Sequence, residues 1–198
     1  MSYREKEYQF IKVSIENDIA IVQYNRPEAL NAANAQLVME RNDAIYGAGM
    51  DPDIKVLIMT GNDKAYSAGG DLAAMVNYGV KDAREFADKV MAASLALTNL
   101  PKPTIAMIAG FCFGGGFENA LSCDLRIAAD NAKFALPEIN VGIYPGAGAT
   151  QRLPQHVSLC KAKELVFLGE TFDAQTALEL GLVNKVVPLA ELRKTTLE

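Results

Sequence analysis

The chain is predicted to adopt an α/β fold, and three observations carry that prediction. Two short continuous apolar runs, Ile54 to Thr60 and Thr104 to Ala109, have the length and composition of strands buried on both faces. Each runs on to a glycine loop, Ala68-Gly69-Gly70 after the first and Gly114-Gly115-Gly116 after the second, and each loop leads into a helix. Along the whole chain the order is β-β-α repeated with extra helices.

The first elements are β-rich runs, Tyr8 to Ile15 and Ile19 to Tyr24, around Asn17-Asp18, a hairpin pattern. Pro27 cannot continue a ladder and breaks the strand. Asn31 or Asn34 can cap a helix to about Tyr46, with Gly47 and Gly49 as its expected end. After the strand at Ile54 to Thr60 comes a loop from Gly61 to Asp71, and Asp71 caps a short helix through Met75. A longer helix from about Asp82 to Leu100 presents Phe86, Val90, Ala93 and Leu97 on one face, until Pro101 and Pro103 stop it. Phe117 to Leu121 reads as the first turn of a short helix, and Leu125 to Ala129 as a strand. Phe134 to Gly148 is irregular yet apolar, the composition of an ordered loop that lines a site. Helices at Lys161 to Leu168 and Ala174 to Leu180 and a strand at Leu182 to Val187 complete the chain.

Composition narrows the function classes. Half of the 198 residues are apolar, 22% are charged and the net charge is −5, a soluble globular balance. No Lys/Arg block suits nucleic acid. The N-terminus, Met-Ser-Tyr-Arg-Glu-Lys-Glu, is too charged for a signal peptide, and no apolar run is long enough to span a bilayer. Three cysteines, Cys112, Cys123 and Cys160, lack metal-ligand spacing, and with a single histidine, His156, no metal site is expected. A reduced, cytoplasmic protein is the expectation.

Two features point to chemistry. Three consecutive glycines inside an apolar segment forfeit packing and entropy, which is rational where a backbone must approach something closely. Two such loops side by side can aim two backbone N–H groups at one oxygen, an oxyanion hole. The competing reading is a glycine-cushioned contact between strand and helix. The second feature is a pair of carboxylates in apolar company, Glu118 after the glycines and Glu138 after Phe134-Ala135-Leu136-Pro137. Each has a structural alternative, Glu118 as a helix N-terminal charge and Glu138 as a turn cap. The combination with two glycine loops favours catalysis.

Asn25-Arg26-Pro27, Ala65-Tyr66-Ser67-Ala68-Gly69-Gly70-Asp71, Gly114-Gly115-Gly116-Phe117-Glu118 and Pro137-Glu138-Ile139 through Pro145-Gly146-Ala147-Gly148-Ala149-Thr150-Gln151-Arg152-Leu153 occur in this order. Together they resemble the enoyl-CoA hydratase/isomerase (crotonase) family over nearly the whole chain. The resemblance implies a spiral of β-β-α units in a single domain, residues 1–198, assembled as trimers or dimers of trimers. It implies a coenzyme A thioester as substrate and no separate cofactor. Carried over by position, the Gly70 and Gly115 amides would hold the thioester oxygen while an enolate forms. Glu118 would take a proton from attacking water, and Glu138 would deliver one to the α-carbon. Both glutamates are present, as in the family's hydratases, whereas an isomerase needs only one. A double-bond isomerase and a non-catalytic acyl-CoA-binding subunit are the alternatives.

Three features depart from the family pattern. The C-terminal helical segment usual in the family is not expected within these residues. No basic residue follows Gly70-Asp71, so Lys64 and Arg26 become the candidates for coenzyme A phosphates. Phe117 is bulkier than the family's usual residue there, and Ala68, Tyr66 and Tyr144 are candidate substrate contacts. His156 is expected at the surface, Cys112 and Cys123 in the core, and Asp124 on backbone amides.

Overall fold

The structure, a computed structural model, describes residues 2–198. Strands β1 (Ile11–Glu16) and β2 (Ile19–Tyr24) pair antiparallel around Asn17, whose φ of 56° suits asparagine. Helix α1 (Ala35–Met50) follows, capped by the Asn34 side chain, which accepts from the Leu37 amide at 2.9 Å. Gly47 and Gly49 do not end α1 as expected. They lie inside it, where the ring of Tyr3 and the side chain of Leu100 occupy the space a Cβ would need.

Three strand pairs then repeat: β3 (Val56–Thr60) with β4 (Ala65–Ser67), β5 (Thr104–Ile108) with β6 (Phe111–Phe113), and β7 (Leu125–Ala129) with β8 (Lys133–Ala135). Between the first two pairs lie α2 (Leu72–Met75) and α3 (Val80–Thr98), and between the second and third lies α4 (Gly115–Ala120). Beyond β8 come α5 (Ala149–Arg152), α6 (Leu159–Leu168), β9 (Phe172–Asp173), α7 (Ala174–Glu179), β10 (Lys185–Val187) and α8 (Leu192–Leu197). The first strand of each pair joins a six-stranded sheet ordered β1-β2-β3-β5-β7-β10, parallel from β2 onward. The second joins a four-stranded sheet ordered β4-β6-β8-β9, parallel through β8. Each pair therefore advances both sheets by one strand, which is the β-β-α spiral the resemblance implied.

The small sheet was not foreseen. Its strands are only two or three residues long, so β4 was absorbed into a loop and β8 into an irregular segment. It nevertheless sets the geometry of the site. Strands β4, β6 and β8 are parallel neighbours, so their C-terminal ends emerge side by side. Gly69-Gly70 follow β4, Gly114 to Gly116 follow β6, and Glu138 follows β8. The Gly114 amide donates to Ala135 O at 2.9 Å, which ties the second loop to the third.

The main core fills the space between the large sheet, α1 and the small sheet with Leu37, Ile45, Leu57, Met59, Phe117 and Phe134. Each such burial contributes about 1.5–3 kcal/mol. A second cluster, with Ile21, Ile58, Met107 and Val187, covers the other face of the large sheet under Leu192 of α8. Asp124 accepts from the Thr104 amide at 2.7 Å and from its hydroxyl at 2.8 Å, the structural role expected. Cys112 and Cys123 are buried, and His156 is exposed. Among the described residues, no helix is long and apolar enough to cross a membrane.

Candidate active site

Both glycine loops and both glutamates border one cavity of about 440 Å³. The first loop is held by Ala33, whose amide donates to Gly69 O at 2.7 Å and whose carbonyl accepts from the Asp71 amide at 3.1 Å. In extended chain, successive amides point to opposite sides, so these two bonds turn the N–H of Gly70 away from Ala33. It has no acceptor among the described residues. Gly69 has a φ of 98°, and a Cβ there would stand 2.9 Å from Phe113 O, so only glycine permits this approach. Gly115 opens α4 and its amide is one of the orphan donors of a helix start. A carbon placed on Gly115 would sit 4.0 Å from the Gly70 nitrogen, so the two free amides are neighbours on one wall.

Glu118, in the first turn of α4, is 2% exposed. Its Oε1 accepts from the amides of Ala147 at 2.8 Å and Ala149 at 2.9 Å. Burial raises its pKa, and the two amides and the Arg152 charge oppose that rise. Arg152 also shapes the cradle, donating to Ala147 O at 2.9 Å and to Thr98 Oγ1 at 3.0 Å. Sequence reading missed this third amide cradle. Its signal was the small-residue run Gly146-Ala147-Gly148-Ala149 with an arginine three residues on.

Glu138 lies in a 3₁₀ turn (Pro137–Val141) and is 8% exposed. Its Oε2 has no partner, and Oε1 would be 3.1 Å from a Cβ on Gly114. Burial, with the charge of Glu118 added to it, pushes its pKa up to about 7. Sequence reading expected the two pKa values to be driven apart. Burial raises both, and the difference lies in what each oxygen touches: Glu118 is held by amides that favour its anion, and Glu138 has an oxygen with nothing to stabilise a charge.

That orphaned oxygen has a cost in stability. A carboxylate whose folded pKa is near 7, against an ordinary 4.5, contributes stability below 4.5 that is lost as pH rises through 7. Glu138→Gln is therefore expected to raise unfolding stability at pH 8 by about 1–3 kcal/mol and to leave it unchanged near pH 4. Urea unfolding of both proteins at the two pH values checks this.

Ala68 lines the cavity, as does Tyr144, which is 75% exposed at its rim. Three expected contacts are elsewhere. Tyr66 is fully buried in the core, its hydroxyl donating to Asn119 Oδ1 at 2.7 Å. Lys64 stands at the N-terminal end of β4, the end opposite the glycines, and borders a separate groove near Arg193. Arg26 is consumed by an ion pair with Asp71 at 2.6 Å and a bond to Ala32 O at 3.0 Å, bracing the first glycine loop from behind. None of the three borders the cavity. Among the described residues, no group of three His, Cys, Asp or Glu is arranged to hold a metal.

The sequence matches the enoyl-CoA hydratase/isomerase family model over residues 14–198. It is 43% identical over 186 residues to a crotonyl-CoA hydratase of Syntrophomonas wolfei, covering 93% of this chain and 72% of that protein. It is 41% identical over 184 residues to a short-chain-enoyl-CoA hydratase of Clostridium acetobutylicum, covering 92% of this chain and 70% of that one. The fold superposes on the crystal structure of an enoyl-CoA hydratase from Bacillus anthracis with a TM-score of 0.92 at 34% identity, covering 96% of this chain and 74% of the other.

Proposed function

Because the chain belongs to the enoyl-CoA hydratase/isomerase family, we propose that its cavity adds water reversibly across the 2,3 double bond of an enoyl-CoA thioester. One observation carries the reading: two buried glutamates share a cavity with two neighbouring, unpartnered glycine amides. An isomerase can move its proton with a single carboxylate, so the second, Glu138, favours hydration.

In this reading the thioester oxygen accepts from the amides of Gly70 and Gly115. Glu118, ionised, takes a proton from water as that water bonds to the β-carbon. Electrons pass through the double bond to the carbonyl oxygen, where the two amides stabilise the enolate. Glu138, protonated, then gives its proton to the α-carbon as the carbonyl re-forms. Ala68 flanks the oxyanion loop, and Tyr144 stands where the thioester enters. Residues 1–198 act as one crotonase-like unit in a cytoplasmic setting, assembled as a homotrimer or a dimer of trimers, and the coenzyme A of the substrate is the only cofactor chemistry required.

The test is loss of the enoyl-thioester absorbance band with crotonyl-CoA, followed over pH. The active pair holds one proton, on Glu138 before hydration and on Glu118 after it. Both directions therefore use the same protonation state of the pair. As pH rises through about 7 that proton leaves, so kcat/KM is expected to fall about tenfold per pH unit above this value in hydration and dehydration alike. A profile flat to pH 9 would overturn the assignment of Glu138 as acid.

A further inference from the structure

Besides the glycines and glutamates, the cavity lining holds a buried cation that the proposed hydration does not use. The lining runs from exposed residues, Leu72 at 51% and Tyr144 at 75%, to buried ones, Tyr24 at 2% and Arg41 at 4%. Arg41 sits on the buried stripe of α1, four residues from both Leu37 and Ile45. Its Nε and Nη2 have no hydrogen-bond partner. None of the ion pairs among the described residues includes it. The adjacent carboxylate, Glu40, is already engaged with the amides of Gln9 at 3.0 Å and Phe10 at 2.8 Å and with the side chain of Gln36 at 2.8 Å.

Close by, two hydroxyls share one acceptor. Asn119 Oδ1 receives both the Tyr24 hydroxyl at 2.9 Å and the Tyr66 hydroxyl at 2.7 Å, and its Nδ2 is left without a partner. Of the five buried polar atoms lacking a partner, three are therefore donors on Arg41 and Asn119. A buried lysine can escape such a position by losing its proton, but a guanidinium cannot. Its charge stays, on a residue that lines the cavity.

We propose that Arg41 reads a carboxylate at the distal end of the acyl chain, so that the substrates are 2-enoyl-CoA thioesters of short dicarboxylic acids. The planar fork of two free N–H donors matches a carboxylate in a bidentate pair. The same cavity is lined by Phe86 and Val90 of α3, apolar surface for the methylenes of an acyl chain. This proposal rests on the enoyl-CoA reading of the cavity and deepens it.

The experiment compares kcat/KM for matched 2-enoyl-CoA pairs of five to eight carbons, one ending in a carboxylate and its partner in a methyl group. Wild-type protein is expected to favour the carboxylate at one length or more by at least about tenfold. Arg41→Met is expected to lower the carboxylate-to-methyl ratio about 100-fold, with Arg41→Lys recovering part of it. In parallel, calorimetry compares saturated glutaryl-CoA and adipyl-CoA with butyryl-CoA and hexanoyl-CoA, a readout that needs no turnover. Tighter binding of the dicarboxylyl thioesters with no hydration of any enoyl-CoA would sustain Arg41 and sink the hydratase reading instead. Preference for the methyl end at every length, or a ratio unmoved by Arg41→Met, would each overturn the proposal.

Discussion

Glu118→Gln is expected to slow crotonyl-CoA hydration about 10³-fold, and Glu138→Gln to slow it comparably, with the fold of both variants intact. The two losses have different origins. At position 118 an amide keeps the volume and can still accept through its oxygen from Ala147 and Ala149, but it cannot take a proton from water. At position 138 the amide has no acidic proton to release to the α-carbon. Because each glutamate completes a transfer the other begins, the double variant is expected to be hardly slower than either single one. Single-turnover absorbance measurements on all three proteins test this. Full hydratase activity in either single variant would remove the two-carboxylate mechanism.

Gly116→Ala is expected to lower kcat about 10²-fold with little change in KM. A Cβ on Gly116 would lie 2.5 Å from Ser67 O and 2.8 Å from Ser67 Cβ. Ser67 ends β4 and Gly116 is in the first turn of α4, so the end of the strand and the start of the helix must part to admit the methyl group. The amides of Gly70 and Gly115 ride on those two pieces. Moving them apart weakens an interaction that strengthens only as the carbonyl oxygen gains charge, which is why the loss falls on turnover. Gly79→Ala, where the nearest atom to the new Cβ is the side-chain oxygen of Asp82 at 3.4 Å, is the matched control and is expected to retain wild-type rates. Equal effects of the two substitutions would show that Gly116 has no particular bearing on the oxyanion wall.

The long elements were legible in the sequence because each carries many repeats of its own period. The face of α3 is a signal of that kind, while the continuous apolar run at Val56–Thr60 and the caps Asn34 and Asp71 mark a strand and two helix starts by residue type. The glycine loops and glutamates were legible for a different reason: glycines and acids are out of place in apolar surroundings unless something uses them. The small sheet was not legible, since two or three residues carry no period and its strands exist only through pairing with segments far away in sequence. Tyr66 and Lys64 neighbour the glycines in sequence but do not border the cavity. Alternation along β4 puts Tyr66 in the core, and Lys64 is at the wrong end of the strand. That Asp71 sits beside Arg26 is not visible in the sequence. Arg41 was within reach, since a charge spaced four residues from both Leu37 and Ile45 interrupts an otherwise buried stripe, but its lack of any partner is visible only in three dimensions.

The three short parallel strands that end beside one another tie reactivity to completion of the fold. Ser67, Phe113 and Ala135 lie far apart along the chain, and the loops behind them come together only when all three strands have docked. A chain with its long helices and large sheet formed but this seam still open would look native by circular dichroism and turn over nothing. Competence should therefore arrive only when the last of the three short strands has docked.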